Sequence, residues 1–209
     1  YVPAGSTNDF ANSLSIPRSM SKAADAVVNG RTFACDIGAF NDDTFIYVAA
    51  FGIFTDVSYE TRQDIKNMLG HTAYLLEGVK RLSSIKSYWM KISYDDVCLE
   101  NEYIYGMITN SNSVGGFKGI TGKDVELNDG LFEVTLVKKP ANLMEMNNIV
   151  TALVDKRVHS DAFRSFKTSR ITIESDQEVA WTLDGEFGGN HLRAVIENKN
   201  RALEIRVPE

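Results

Sequence analysis

An alternation of apolar and polar side chains recurs along this chain, and it limits the possible folds more than any other feature. Nine short stretches are predicted to be strands, and most of them are bounded by Asp, Asn or Gly. These stretches are Thr32–Ile37, Phe45–Phe51, Ser87–Tyr94, Glu102–Thr109, Leu131–Val137, Arg170–Glu174, Glu178–Leu183, Leu192–Ile196 and Leu203–Val207. One of them, Phe45–Phe51, is apolar on both faces instead of alternating, which predicts a central strand of the sheet. They do not alternate one for one with helical patterns, which argues against a parallel sheet built from strand–helix–strand units. We predict an α+β fold that is mainly β: an antiparallel β-sandwich-like domain with inserted helices.

Helical patterns occur in three places between the predicted strands. Ser6 or Thr7 can cap a short helix that runs through Ser13. From Glu60 to Leu82, apolar residues recur at steps of three and four with a break at a glycine, which predicts two consecutive helices. A further helix is predicted for Leu143–Val154.

The composition is that of a globular protein with a sizeable core: 209 residues, 44% hydrophobic and 24% charged. The formal net charge of −6 argues against a nucleic-acid partner. The longest apolar run, Phe45–Phe54, has about half of the ~20 residues that a helix needs to cross a bilayer, and we interpret it as a buried strand. Since no secretory signal is visible, a cytoplasmic location is the default expectation. Cys35 and Cys98 stand alone, and we expect both to be reduced core residues.

Residue patterns alone leave the chemistry of three segments open. A glycine-rich stretch, residues 115–122, lacks the spacing of a phosphate-binding P-loop and is interpreted as a surface loop. Asp129 lies in an Asn-Asp-Gly turn, where a carboxylate and nearby carbonyls either bind a hard cation or form an ordinary turn. Asp184 and Glu186 flank a glycine after a strand, which suits either a hairpin turn or a pair of acid–base carboxylates.

The segment Lys156–Arg170 is the only strongly basic part of this acidic chain. It contains five basic residues, one acidic residue and two phenylalanines. A solvated loop or helix face is one interpretation, and contact with an anionic membrane surface is the other.

Five segments taken together resemble the soluble diacylglycerol kinase and sphingosine kinase-type lipid kinases, and among these the bacterial diacylglycerol kinases. The matching segments are PAGSTNDFANSLSIP (3–17), KNMLGHTAYLLEG (66–78), ITNSNSVGGFKG (108–119), LNDGLFEV (127–134) and LDGEFGG (183–189). They follow the order and spacing of that family and cover nearly the whole chain.

The resemblance implies a division into a remnant of a nucleotide-binding domain, residues 1–20, and a C-terminal β-sandwich lipid-binding and catalytic domain, residues 21–209. The Gly-Gly-Asp-Gly-Thr loop that holds ATP in the family is absent here. The chain begins just before a second phosphate-side motif, which reads Gly-Ser-Thr-Asn-Asp-Phe, with a serine where the nucleotide-contacting threonine is usual. The nucleotide-side residues implied by the resemblance are Ser6, Thr7, Asn8, Asp9 and Lys66.

The resemblance also implies a structural magnesium ion and a catalytic base. Asp129 would supply the side-chain ligand of Mg²⁺, and the backbone carbonyls of Glu126 and Leu131 would complete the protein ligands. Glu186 is the first choice for the base that takes the proton from the lipid hydroxyl, and Asp184 would orient it or the metal network.

The implied reaction is phosphoryl transfer from ATP to diacylglycerol, which gives phosphatidic acid. We expect the 209-residue chain alone to lack kinase activity, because such transfer depends on positioning of the nucleotide. Peripheral membrane contact is expected, and the resemblance allows a homodimer. Two alternatives stay open: a non-catalytic lipid-binding or membrane-docking β-sandwich, and a kinase that acts on a sphingoid base or a phospholipid.

Overall fold

The computed structural model describes residues 1–5, 8–53, 86–115, 117–118, 121, 124–142, 144–146, 148–149, 152 and 161–209. Two helices, α1 (Asp9–Ser13) and α2 (Met20–Asn29), precede the strands. The strands are β1 (Arg31–Phe40), β2 (Asp43–Phe45), β3 (Val48–Gly52), β4 (Tyr88–Tyr94), β5 (Val97–Thr109), β6 (Ser113–Val114), β7 (Phe117–Lys118), β8 (Phe132–Lys138), β9 (Phe163–Thr168), β10 (Arg170–Leu183) and β11 (Glu186–Val207). In the described part of the chain, no helix is long and apolar enough to cross a membrane.

Within the described residues, nine strands form one antiparallel sheet in the order β2-β1-β11-β10-β3-β5-β8-β9, and β4 pairs with both β10 and β5. Strands β3 and β4 occupy the same position between β10 and β5. Residues 181–183 of β10 pair with β3, and residues 172–175 pair with β4. The two short strands therefore lie end to end, and the chain between them includes residues 54–85, which are outside the described residues.

The sheet curves so that its two ends face each other across an apolar core. The ring of Phe45, on the strand at one end, lies 5.5 Å from that of Phe132, on the second strand from the other end. Phe40 and Phe51 each pack edge-on against the fully buried Trp181, with ring centroids 4.9 Å apart. Burial of such aromatic side chains is a major stabilising term. The predicted antiparallel β-sandwich-like fold is confirmed.

A second apolar cluster joins the N-terminal helices to the sheet. Phe10 and Ala11 of α1 and Ala23 of α2 pack with Cys35 of β1 and Val207 of β11. Residues before and after position 20 thus share one core, and the division into residues 1–20 and 21–209 stays a prediction.

Several local predictions differ from the structure. Cys35 is buried as predicted, but Cys98 is exposed and is not a core residue. Residues 163–168 of the basic segment form β9, which pairs with β8, and are neither a loop nor a helix face. Helix α2 was not predicted, because no stripe of large apolar residues marks its buried face. The buried positions are the small residues Ala23 and Ala26, and the larger Val28 is exposed. The short stretches predicted at residues 192–196 and 203–207 belong to the single strand β11, whose polar middle is held by pairing with β10 and β1.

Two helical predictions fall partly or wholly outside the described residues. Residues 60–82 lie entirely within the undescribed segment. Within the predicted helix 143–154, residues 144–146, 148–149 and 152 are helical.

The N-terminal helix begins at Asp9 with Asn8 at the cap position, later than a cap at Ser6 or Thr7 would place it.

Candidate functional site

Helix α1 and the residues that follow β5 form a buried polar cluster. Ser113 Oγ donates a hydrogen bond of 2.6 Å to Asp9 Oδ1, and both residues are buried. The hydroxyls of Ser13 and Ser111 lie 2.9 Å apart, and the backbone amide of Asn112 donates to Ser13 Oγ at 3.0 Å. Two segments that lie about a hundred residues apart, Asn-Asp-Phe and Asn-Ser-Asn-Ser, therefore meet at one place.

Asn8 shapes the turn that leads into α1. Its backbone is left-handed, with φ 53°, a conformation that Asn tolerates better than most residues. Its side chain accepts a hydrogen bond from the amide of Gly5 at 2.9 Å and donates to the carbonyl of Gly5 at 2.6 Å. The predicted nucleotide-side residues Asn8 and Asp9 thus lie in one structured turn, whereas Ser6, Thr7 and Lys66 are outside the described residues.

The Leu-Asp-Gly-Glu-Phe-Gly-Gly segment forms a two-residue hairpin followed by a bulge. Leu183 pairs with Glu186, so Asp184 and Gly185 are the two central residues, and their φ values of 53° and 91° are typical of a type I′ turn. Pairing between β10 and β11 then shifts, because one residue of β10, Trp181, faces two residues of β11, Gly188 and Gly189. Bulges next to functional sites change the direction of neighbouring side chains.

The Asp184 carboxylate binds the chain between β2 and β3. It accepts hydrogen bonds from the backbone amides of Ile46 (2.7 Å), Tyr47 (2.9 Å) and Val48 (3.1 Å). Its own amide donates to the carbonyl of Val48 at 2.8 Å. Because its oxygens serve backbone donors, Asp184 is suited to hold the turn in place rather than to take up a proton.

The Glu186 carboxylate is exposed and makes no hydrogen bond or ion pair with the described residues. It lines an open depression of about 330 Å³. The other lining residues are Asp43, Thr44, Leu183, Phe187, Gly188, Gly189 and His191. A hydroxyl group that enters this depression would meet a carboxylate able to accept its proton, so the geometry suits the predicted base.

Tyr47 connects the turn that contains Asp184 to the polar cluster around Asp9. Its amide donates to Asp184, and its carbonyl accepts from Thr109 Oγ1 (2.7 Å) and the amide of Asn110 (3.0 Å). Its ring stacks on Phe10 with centroids 6.5 Å apart. Tyr47 was not predicted from the sequence, because it lies in the apolar run 45–54, where only its polar hydroxyl distinguishes it from a core residue.

In the candidate metal loop, the carboxylate lies beside the ammonium of Lys167, which belongs to β9. Asp129 Oδ1 accepts from the amide of Leu131 at 2.9 Å, and Oδ2 lies 3.5 Å from Lys167 Nζ. That ammonium also lies 3.0 Å from Glu133 Oε1, while Glu126 is exposed. No group of three or more His, Cys, Asp or Glu side chains able to hold a metal occurs in the described ranges. The predicted ligands, one carboxylate and two carbonyls, are all oxygens, which suits Mg²⁺, but the carboxylate would be shared with Lys167.

Glu133 and Lys167 form a cross-strand pair between β8 and β9. Burial raises the pKa of Glu133 above its ordinary value, and the hydrogen bond and charge of Lys167 oppose that rise. For Lys167, burial lowers the pKa, but the hydrogen bond and charge of Glu133, followed by those of Asp129, outweigh it and raise the pKa overall. The lysine is therefore held as a cation next to the candidate metal loop.

Asp36, which the sequence analysis also missed, fastens the same loop to β11. Its fully buried carboxylate accepts from the amide of Gly130 (2.7 Å), the amide of Arg201 (2.6 Å) and the side chain of Asn200 (2.9 Å). The side chain of Asn110 donates to the backbone carbonyl of Asp36 at 2.9 Å. A lone aspartate inside the apolar strand Thr-Phe-Ala-Cys-Asp-Ile-Gly was the signal that could have identified it.

Comparison with known proteins gives two family matches. Residues 48–206 match the YegS C-terminal NAD kinase beta sandwich-like domain, and residues 1–40 match the diacylglycerol kinase catalytic domain. The whole chain is 38% identical to the diacylglycerol kinase of Bacillus subtilis (strain 168), of which it covers 68%, and 34% identical to that of Staphylococcus epidermidis, of which it covers 65%. The chain thus spans about two thirds of the length of these curated relatives.

A solved structure shows the same fold. The crystal structure of a diacylglycerol kinase from Bacillus anthracis str. Sterne superposes with a TM-score of 0.74 at 23% identity. The superposition covers 99% of this chain and 67% of the other.

Proposed function

Because the chain belongs to the diacylglycerol kinase family, we propose that it carries the lipid-side catalytic domain of an ATP-dependent kinase that phosphorylates diacylglycerol to phosphatidic acid. The observation that carries the proposal is the meeting of two distant segments at Tyr47. Its ring stacks on Phe10, beside the nucleotide-side residue Asp9, and its amide binds Asp184, in the turn that presents Glu186. A nucleotide near Asp9 and a lipid hydroxyl near Glu186 would therefore be held by one connected framework.

In this reaction the lipid hydroxyl oxygen attacks the γ-phosphorus of ATP, and the bond from that phosphorus to the β–γ bridging oxygen breaks. Glu186 accepts the hydroxyl proton, and Asp184 keeps the turn against residues 46–48 so that Glu186 faces the depression. Phosphoryl transfer depends mainly on positioning and electrostatic stabilisation, so this framework supplies much of what the chemistry needs. On the nucleotide side, Ser6, Thr7, Asn8, Asp9 and Lys66 are the residues proposed to contact ATP.

Magnesium would be held by Asp129 with the carbonyls of Glu126 and Leu131, where it would order the loop and neutralise charge. The protein already restrains this loop through Asp36, which binds the amide of Gly130, and through Lys167. As the resemblance implies, we propose a structural role for this ion rather than a direct role at the phosphates.

Peripheral contact with a membrane is proposed as the way in which the enzyme reaches its lipid. Of the basic side chains in β9 and at the start of β10, Lys167 is paired with Glu133 and Asp129, and Arg170 lies 3.2 Å from Glu197. These two charges are balanced within the protein, so membrane attraction by the segment 156–170 would depend on its remaining basic residues. A homodimer is a further proposal.

The test is an assay of the complete gene product with ATP and a panel of lipids that includes diacylglycerol, a sphingoid base and a phospholipid. We expect phosphorylation of diacylglycerol, strong loss of turnover in Glu186→Gln, and no turnover by the 209-residue chain alone. Preference for another lipid would change the proposed acceptor. Lipid binding with no phosphorylation by the complete gene product would favour a non-catalytic lipid-binding domain and refute the proposal.

A further inference from the structure

The bulge at Gly188–Gly189 begins two residues after Glu186, and both of its glycines face a single residue of β10, Trp181. Gly189 has φ 92°, and a Cβ atom there would lie 2.8 Å from His191 Nε2. A Cβ atom on Gly188 would lie 2.6 Å from Leu183 Cγ. Both glycines thus allow close approach of a neighbouring side chain, and at Gly189 that neighbour is the ring of His191.

The imidazole of His191 is held on three sides. Its Nε2 lies 2.9 Å from the carbonyl oxygen of Gly188, within the bulge. Its Nδ1 lies 3.3 Å from Asn41 Nδ2, in the turn between β1 and β2. Its ring packs edge-on against the fully buried Phe40, with centroids 5.2 Å apart.

The partners of the ring determine which nitrogen carries the hydrogen. The Gly188 carbonyl can only accept, so Nε2 must be the protonated nitrogen. The orientation of the Asn41 amide is fixed independently, because Oδ1 accepts from the amide of Val195 (2.9 Å) and Nδ2 donates to the carbonyl of Arg193 (3.1 Å). Asn41 therefore presents a donor to His191, and Nδ1 must be the unprotonated acceptor.

We propose that His191 is a positioning residue that holds the Gly188–Gly189 bulge as its Nε2-protonated neutral tautomer, and that this bond sets the direction of Glu186. The role of Glu186 as base rests on the proposed function, whereas the bond from His191 to the bulge does not. Without the bond from His191 to Gly188, β11 could pair with β10 without a bulge. Glu186 and Phe187, which lie between the turn and the bulge, would then point to the opposite face of the sheet relative to the rest of β11.

The tautomer is tested on the 209-residue chain by long-range ¹H–¹⁵N correlation NMR of the histidine rings at mildly alkaline pH. The His191 signals are assigned from their absence in His191→Gln. We expect a protonated Nε2 and an unprotonated Nδ1 in the wild type, and averaging of the two nitrogens in Asn41→Ala. A protonated Nδ1 or averaged signals in the wild type would overturn the assignment, as would an unchanged pattern in Asn41→Ala.

The positioning role is tested by kinetics of the complete gene product. In His191→Phe, which keeps a ring but lacks the donor, we expect kcat to fall about 10- to 100-fold with KM for ATP unchanged. His191→Gln should recover most of that loss, because its amide can donate to the Gly188 carbonyl. The matched control is Arg193→Gln, on the same strand as His191. This change removes only an exposed ion pair with Glu174 of β10 and should keep wild-type kcat.

The two experiments separate failure of this inference from failure of the proposed function. Equal kcat in the wild type and His191→Phe would overturn the positioning role, and so would equal impairment of the Phe and Gln variants. If the wild type phosphorylates no lipid, the kinase proposal fails, but the NMR spectra still decide whether His191 holds the bulge.

Discussion

Replacing Asp184 should cost far more stability than replacing Glu186, although the two carboxylates lie in one four-residue hairpin. In Asp184→Ala, the amides of Ile46, Tyr47 and Val48 lose their acceptor. The exposed Ile46 amide can turn to water, but the other two are partly buried, and a hydrogen bond to a charged group contributes about 1.5–3 kcal/mol. The loss at those two amides is therefore about 3–6 kcal/mol.

The backbone of residue 184 adds to this cost. Its φ of 53° is left-handed, and an alanine there is disfavoured by about 1–2 kcal/mol. The combined loss approaches the whole stability of a typical domain, about 5–15 kcal/mol. Asp184→Asn keeps one acceptor oxygen and tolerates the left-handed backbone, so it should lose less than Asp184→Ala.

The assay is urea unfolding of the 209-residue chain, followed through the fluorescence of the buried Trp181. Glu186→Gln is the matched control, because its exposed carboxylate makes no hydrogen bond or ion pair with the described residues. Its free energy of unfolding should change by less than about 0.5 kcal/mol. If Asp184→Ala unfolds within about 1 kcal/mol of this control, Asp184 does not hold residues 46–48 and the structural assignment of the two carboxylates is wrong.

Three further predictions concern the metal loop, the cysteines and the partly buried ion pair of Glu133 and Lys167. Asp129→Ala should abolish any rise in melting temperature on adding Mg²⁺; melts with and without chelator test this, and a wild type indifferent to Mg²⁺ would contradict the metal assignment. Burial, followed by the charge of Asp36, raises the pKa of Cys35 to about 11, so brief iodoacetamide treatment of the native chain at neutral pH should label Cys98 alone, as read by peptide mass spectrometry. Because burial raises the pKa of Glu133 above 4.5, its contribution to stability is complete below about pH 4.5 and is lost as the pH rises through the folded value. The unfolding free energy of Glu133→Gln should therefore decline less than that of the wild type from acid to neutral pH, and parallel curves would count against this reasoning.

The sequence predicted correctly those features whose backbone conformation depends on residues close together in the chain. Asp184-Gly185 predicts a hairpin because both positions require positive φ, and the structure has that turn. The alternation in Tyr88–Tyr94 likewise predicts β4, and in the structure every second side chain of this strand is buried. In both cases the deciding interaction spans only a few residues.

The parts that the sequence did not predict depend on partners far along the chain. Asp184 binds amides more than 130 residues away, and Asp36 binds residues 94 and 165 positions further on. The pairing of Lys167 with Glu133 follows from the register between β8 and β9, which no local pattern contains. Such contacts turn an apparently surface-exposed basic segment into a strand with a partly buried ion pair.

The position of β11 in the sheet has a consequence for the order of folding during synthesis. This strand, the last of the described strands in chain order, is the one that joins β1 to β10. Until it leaves the ribosome, β1 has no neighbour on that side, and the N-terminal helices lack part of the surface on which they pack. Pairing between such distant segments is intrinsically slow and leaves strand edges open to association with other chains. The nascent chain should therefore depend on chaperones until β10 and β11 have emerged.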